Sequence, residues 1–191
     1  KDEYKGLYQL HNLGGGTAKT VFASIISRYQ DPDGDLGISD EGWEIAAKFL
    51  GNAHNIADGE DAVGSVIDGT YPMDEHWASG VLTEQKDRDY KFQIMTPDIG
   101  EPYVVESLAI SAGTKKYDTC VAFLNWLGSS DVQLDWSNNY GTIPCQKEAL
   151  DQVSDDIKEL METLKPQDLD WSFIAENVDA WVEKAELEYV Q

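Results

Sequence analysis

The chain has 191 residues, of which 36 are Asp or Glu and 14 are Lys or Arg, giving a formal charge of −22. Nucleic acid and anionic membrane surfaces both demand a cationic face, so this balance argues against either as a partner. A hydrophobic content of 41% with 10% aromatics argues against disorder and supports one large or two small domains, and no run of about 18 apolar residues exists to span a bilayer.

In chain order, Gly6–His11 alternates apolar and polar side chains, the period-two pattern of a strand. The loop Asn12-Leu13-Gly14-Gly15-Gly16-Thr17 joins it to a predicted helix from Ala18 to about Tyr29, with Val21, Phe22, Ile25 and Ile26 on one face. A glycine loop opening a helix presents free backbone N–H groups at a positive helix end, which suits a carboxylate or phosphate at Gly15, Gly16 and Thr17. It is equally a permissive turn without a ligand, and both readings stand. The nucleotide-binding pattern is rejected, because the two positions that need glycine hold Leu13 and Ala18.

Asp31-Pro32-Asp33-Gly34-Asp35 resembles the opening of a calcium loop, but Leu36 and Gly42 stand where the glycine and the bidentate glutamate belong. An acidic turn is the reading adopted, with a calcium-binding or other extracellular interaction domain as the alternative. Ser39 is placed to cap a helix from Asp40 to about Leu50, whose inner stripe is Trp43, Ala46, Ala47 and Leu50. A short helix follows over about Glu60 to Ile67, ended by Gly69.

The stretch from Thr70 to Gly80 concentrates aromatic, acidic and imidazole groups: Tyr71, Asp74, Glu75, His76 and Trp77. Asp74, Glu75 and His76 could supply an acid and a base, yet no nucleophile elbow, HExxH or partnered cysteine accompanies them. An enzyme is therefore not the expectation, and no catalytic residue or cofactor is assigned. No partner spacing marks His76 as a metal ligand, and no Cys/His cluster suggests zinc.

A short helix over Val81–Asp87 leads to a charge run at Lys86–Asp89. Two β-type runs, Phe92–Met95 and Val104–Ser111, flank a loop holding Pro97, Gly100 and Pro102. Glu106 beside two β-branched residues is either an edge residue facing water or a carboxylate aimed at a ligand. Tyr117, Cys120, Val121, Leu124 and Leu127 fall on one face of the next helix, which Gly128 ends. Further helices are predicted from Asp131 to near Tyr140, over Asp155–Leu164 behind a Ser154 cap, and from Ser172 to about Tyr189. A short helical turn is placed after Pro144. Cys120 and Cys145 could pair in an exported protein, but a free thiol on an apolar helix face is favoured.

The ordered series Pro97/Gly100, Ala109-Ile110-Ser111-Ala112-Gly113, Phe123-Leu124-Asn125-Trp126-Leu127-Gly128-Ser129 with Gln133, and Gly141-Thr142-Ile143-Pro144 resembles the bilobed extracellular solute-binding proteins of ABC importers, of the ferric-iron and spermidine/putrescine kind. That resemblance implies an α/β fold, a type II periplasmic-binding-protein-like lobe with a mixed sheet flanked by helices. Residues 1–104 and 150–191 would form the second lobe, and 105–149 would return to a first lobe whose amino-terminal half lies upstream with any signal or lipid anchor. It implies a small solute, such as a polyamine, metal or aminophosphonate, held in an interlobe cleft and passed to an ABC permease. Trp77 falls where polyamine binders stack a ring on the ligand, Glu106 where they hold an ammonium, and the glycine loop at the cleft rim. Tyr71 followed by Pro72 does not match the paired tyrosines of the iron binders. The returning segment is expected to self-associate or to expose apolar surface.

Overall fold

A computed structural model describes residues 2–190, and their backbone divides into two compact units: the described part of 1–76 with 168–191, and 77–167. This partition differs from the family lobes expected from the sequence, which concern the whole protein.

The first unit is built on a three-stranded parallel sheet, β1 (Tyr8–Leu10), β3 (His54–Asn55) and β4 (Met73–Asp74), in the order β3-β1-β4. Gln9 is the Cα partner of His54 on one side and of Asp74 on the other. Side chains alternate across a strand, so β1 has two different faces. Leu10 joins the core formed by α1 (Gly16–Ile26), α2 (Asp40–Gly51) and α9 (Trp171–Glu188), where Phe22, Ile26, Leu50 and Trp181 are buried. Tyr8 stacks on Phe49 and donates its hydroxyl to the Phe49 carbonyl. Gln9, on the opposite face, is buried and donates its amide to the carbonyl of Ala62 at the start of α3 (Ala62–Asp68).

Between α1 and α2, a 3₁₀ turn (Ser27–Tyr29) leads into β2 (Gln30–Asp35), which folds back through antiparallel bridges from Gln30 and Asp35 to Ile38. Residues 31–35, expected as an acidic turn, thus belong to this strand, and the turn itself is Leu36-Gly37. Carbonyls here are satisfied from the core: Trp43 donates its indole N–H to Asp35 at 3.0 Å, and Trp181 to Leu36 at 2.9 Å. Lys184 pairs with Asp35 at 3.2 Å, lying 5.1 Å from the Trp43 ring centroid. Leu36 is held at φ 51°, an uncommon conformation for a side chain of this size. The Trp181 indole, 145 residues away, holds the Leu36 carbonyl in that conformation.

The second unit holds α4 (Ala78–Arg88), α5 (Tyr117–Leu127), α6 (Ser130–Tyr140), α7 (Lys147–Leu150) and α8 (Asp155–Thr163). Its buried apolar side chains include Pro144, Ala149, Val153, Ile157 and Leu160. The two runs predicted as strands, 92–95 and 104–111, carry no strand. A strand needs a neighbour to take its backbone N–H and C=O groups. The extended pairing described in this unit is the bridge between Glu101 and Pro166, with Glu101 N–H donating to Lys165 and Gln167 N–H to Glu101, each at 2.8 Å. The expected α5 helix forms, and Cys120, Val121, Leu124 and Leu127 lie on its less exposed face, half-buried, while Tyr117 at its start is exposed. Cys120 and Cys145 are both free thiols.

No helix among the described residues is long and apolar enough to cross a membrane.

Candidate functional site

In open α/β sheets, ligands gather beyond the carboxyl ends of the strands, where successive connections leave to opposite sides. In the first unit that point lies at β1 and β4: the chain passes from central β1 to β3 on one flank and later returns to β4 on the other. The glycine loop and His11 follow β1, while Glu75 and His76 follow β4.

Register then sets which side chains meet. Gln9 faces Asp74, so residues two further along, His11 and His76, fall on the same face as Asp74. Their rings lie 6.5 Å apart between centroids, and His76 Nδ1 is 3.8 Å from Asp74 Oδ2. One ligand atom from each of His11, Asp74 and His76 lies within 4.8 Å of the others. The Asp74 side chain is only 8% exposed and that of His76 only 14%. Glu75 accepts the backbone N–H of His11 at 3.2 Å, pinning the exit of β1 to that of β4.

Two carboxyls in so sheltered a place are costly to ionise. Burial pushes Glu75 up to about 7, with the Asp74 charge adding to the rise and the His11 N–H opposing it. Burial likewise raises Asp74 to about 6, against the pull of His11 and of the Glu75 backbone.

At the other component of this strand end, Asn12 organises the loop: its side chain accepts from Gly14 N–H at 2.7 Å and its carbonyl from Gly15 N–H at 2.9 Å. Gly15 caps α1 without a side-chain cap bond, and no acidic residue lies within the first turn. Its first amides are therefore open to an acceptor. A Cβ at Gly16 would touch nothing within 4 Å.

The residues singled out from sequence separate as follows. Asp74 and Glu75 come together after β4, and Gly15, Gly16 and Thr17 sit at the same end of the sheet. Tyr71 precedes β4 and stacks on His54 with centroids 4.1 Å apart and planes 5° from parallel, while His54 pairs with Glu60 at 2.8 Å. Trp77 is the N-cap of α4 in the second unit and is 54% exposed. Glu106 is exposed, in the same unit, within a segment lacking regular structure. The 31–35 segment contributes to no metal-sized cluster among the described residues.

His11 was invisible as a site residue in the sequence, and His76 carried no partner spacing. The missing information was that β1 and β4 are neighbours, which joins groups 65 positions apart. The local signals are that His11 directly follows β1 and that His76 follows β4 after Glu75.

The fold, helices flanking a small parallel sheet, is that of a periplasmic-binding-protein-like lobe, and the sequence comparisons agree. Residues 2–165 match the family model for bacterial extracellular solute-binding proteins, and the chain belongs to that family. A relative from Sinorhizobium fredii, named as a "probable ABC transporter periplasmic-binding protein", is 32% identical over 191 residues, which is 100% of this chain and 53% of the relative. The chain thus spans about half the length of the curated relative it matches. No solved structure matches it.

Proposed function

We propose that this chain belongs to the solute-binding component of an ABC importer, which captures a small solute outside the cytoplasmic membrane and delivers it to the permease. Family membership supports the class, and the name of the Sinorhizobium relative supports the transporter. The observation carrying the reading to particular residues is that His11, Asp74 and Glu75 come together where β1 and β4 end, the end of the sheet from which the glycine loop also leaves β1.

The chemistry suits a solute with a cationic part, alone or together with an anionic one. Asp74 and Glu75 offer acceptors whose burial makes a charge-assisted hydrogen bond strong. The α1 amides offer donors to a phosphonate or carboxylate. In the second unit, Trp77 and Glu106 are proposed separately as cation-binding groups, an exposed ring contributing about 0.5–2 kcal/mol to a cation resting on it. Tyr71 is proposed as support for the β4 entry rather than as a direct contact, since its ring face is occupied by His54. Polyamines, metal ions and aminoalkyl phosphonates are the candidate classes, and a membrane anchor upstream is part of the proposal.

Catalysis is not part of it, since the family is one of binding proteins. A solute that binds only the closed form shifts a hinge equilibrium by its differential affinity, and that suffices for delivery.

A thermal-shift screen of the full-length protein tests this. A solute at a hundredfold excess over its Kd stabilises by about 2.7 kcal/mol, a displacement of several degrees. One of the three classes is expected to give it. No shift from any of them would remove the proposed solute chemistry.

A further inference from the structure

We infer that His11, Asp74 and His76 form a binding site for a divalent transition-metal ion of the zinc class. The inference deepens the reading above and rests on it only in treating the metal as cargo or as part of the cargo's seat. Binding itself stands on the local geometry.

Three observations carry it. The donor set is two imidazoles and one carboxylate, with one atom of each inside a 4.8 Å sphere of separation. Imidazole nitrogen with carboxylate oxygen is the set that zinc and neighbouring transition metals prefer, and three protein donors leave a position for solvent or a solute group. Calcium and magnesium prefer oxygen ligands, so they are poorly matched here.

The second observation is burial without partners. Among the described residues, His11 Nε2 and Asp74 Oδ1 are buried atoms with no hydrogen-bond partner. Leaving such groups unmet costs about 1–3 kcal/mol each, and a shared cation would meet both.

The third is that the ligands are held on rigid backbone. Asp74 lies in the sheet register with Gln9, His11 follows the same strand, and Glu75 fixes the His11 N–H. Outer contacts of this kind are what orient metal ligands. His54 provides an internal contrast, since it is stacked on Tyr71 and paired with Glu60.

The test uses the full chain stripped with a chelator and titrated with Co²⁺, followed by visible absorption and displacement with Zn²⁺. The expected result is one equivalent bound and displaced by Zn²⁺. His11→Ala and Asp74→Asn should each weaken binding by more than about 100-fold, beyond the 10–100-fold loss typical of an outer-shell partner. His54→Ala should leave it unchanged. Should a variant fail to fold, imidazole NMR of the unaltered chain replaces it: of the 3 histidines, Zn²⁺ must shift the ring signals of His11 and His76 and spare His54.

No stoichiometric binding, equal loss in His54→Ala, or equal affinity for Mg²⁺ would overturn the site. Failure of Co²⁺ together with a thermal shift from putrescine would overturn the metal and leave the importer reading intact. Tight Zn²⁺ binding by a protein whose deletion leaves solute uptake unchanged would do the reverse.

Discussion

Asp74 and Glu75 titrate above their unfolded values of 3.8 and 4.5, at about 6 and about 7. Between roughly pH 4 and 7 the folded chain therefore holds more protons than the unfolded one, and stability from these groups falls as pH rises through that window. It is fully present below pH 4 and lost above pH 7. Since 36 acids also repel one another increasingly with pH, the decisive quantity is the difference from a variant. Glu75→Gln, which keeps an acceptor for the His11 N–H, should flatten the urea-midpoint slope between pH 4.5 and 7.5 and stabilise the apo chain at pH 7.5 by on the order of 1 kcal/mol. An unchanged slope would contradict the burial assigned to Glu75. Gly16→Ala separates the two readings of the glycine loop. Its Cβ meets nothing within 4 Å, and alanine is the better helix former by about 1 kcal/mol. The variant should fold at least as stably, yet lose solute affinity severalfold in titration calorimetry if solute approaches the α1 amides. These residues were legible in the sequence to the extent that their signal is local. The glycine loop and the Asp74–His76 run announce themselves within ten residues, whereas His11 acquires meaning only from strand pairing.

At the scale of elements, helices were read more accurately than strands. Ser39 caps α2 by accepting from Gly42 N–H at 3.3 Å, and the helix spans Asp40–Gly51 against an expected Asp40 to Leu50. Capping residues and 3.6-residue periodicity lie in the segment itself, while a strand exists only with its partner. That is why 8–10 became β1, with neighbours on both sides, and 104–111 did not become a strand. The acidic segment at 31–35 illustrates the same dependence: its calcium-like spacing is local, but its shape and that of the turn after it are fixed by Trp43, Trp181 and Lys184. Trp181→Phe keeps an aromatic side chain but removes the indole N–H and shrinks a fully buried group, leaving the Leu36 carbonyl unmet and a cavity beside it. The unmet carbonyl alone costs about 1–3 kcal/mol and the cavity adds to it, read as a lowered denaturant midpoint with unchanged m. Gly42→Ala should cost a similar amount, since its Cβ would stand 2.5 Å from Ile38 Cγ2 and 2.6 Å from Tyr29 Cβ. Either variant at wild-type stability would mean that the turn is not clamped as described.

At the scale of the whole molecule, the two units differ in how they dispose of apolar surface. The first encloses Phe22, Ile26, Trp181 and their neighbours. The second leaves Val104, Val105, Leu108, Phe123 and Trp126 more than half exposed, and α5 has no buried residue. Exposed apolar groups in such number favour association. The 191-residue chain should therefore sediment with a concentration-dependent mass or bind a hydrophobic dye, and a dye-silent monomer at all concentrations would contradict this. The central claim is that solute is held at the carboxyl end of the β3-β1-β4 sheet. Hydrogen–deuterium exchange of the full-length protein, with and without the solute giving the largest thermal shift, addresses it most directly. Slowed exchange should concentrate in residues 11–18 and 74–77; slowing confined to other segments, with these two unchanged, would contradict the account.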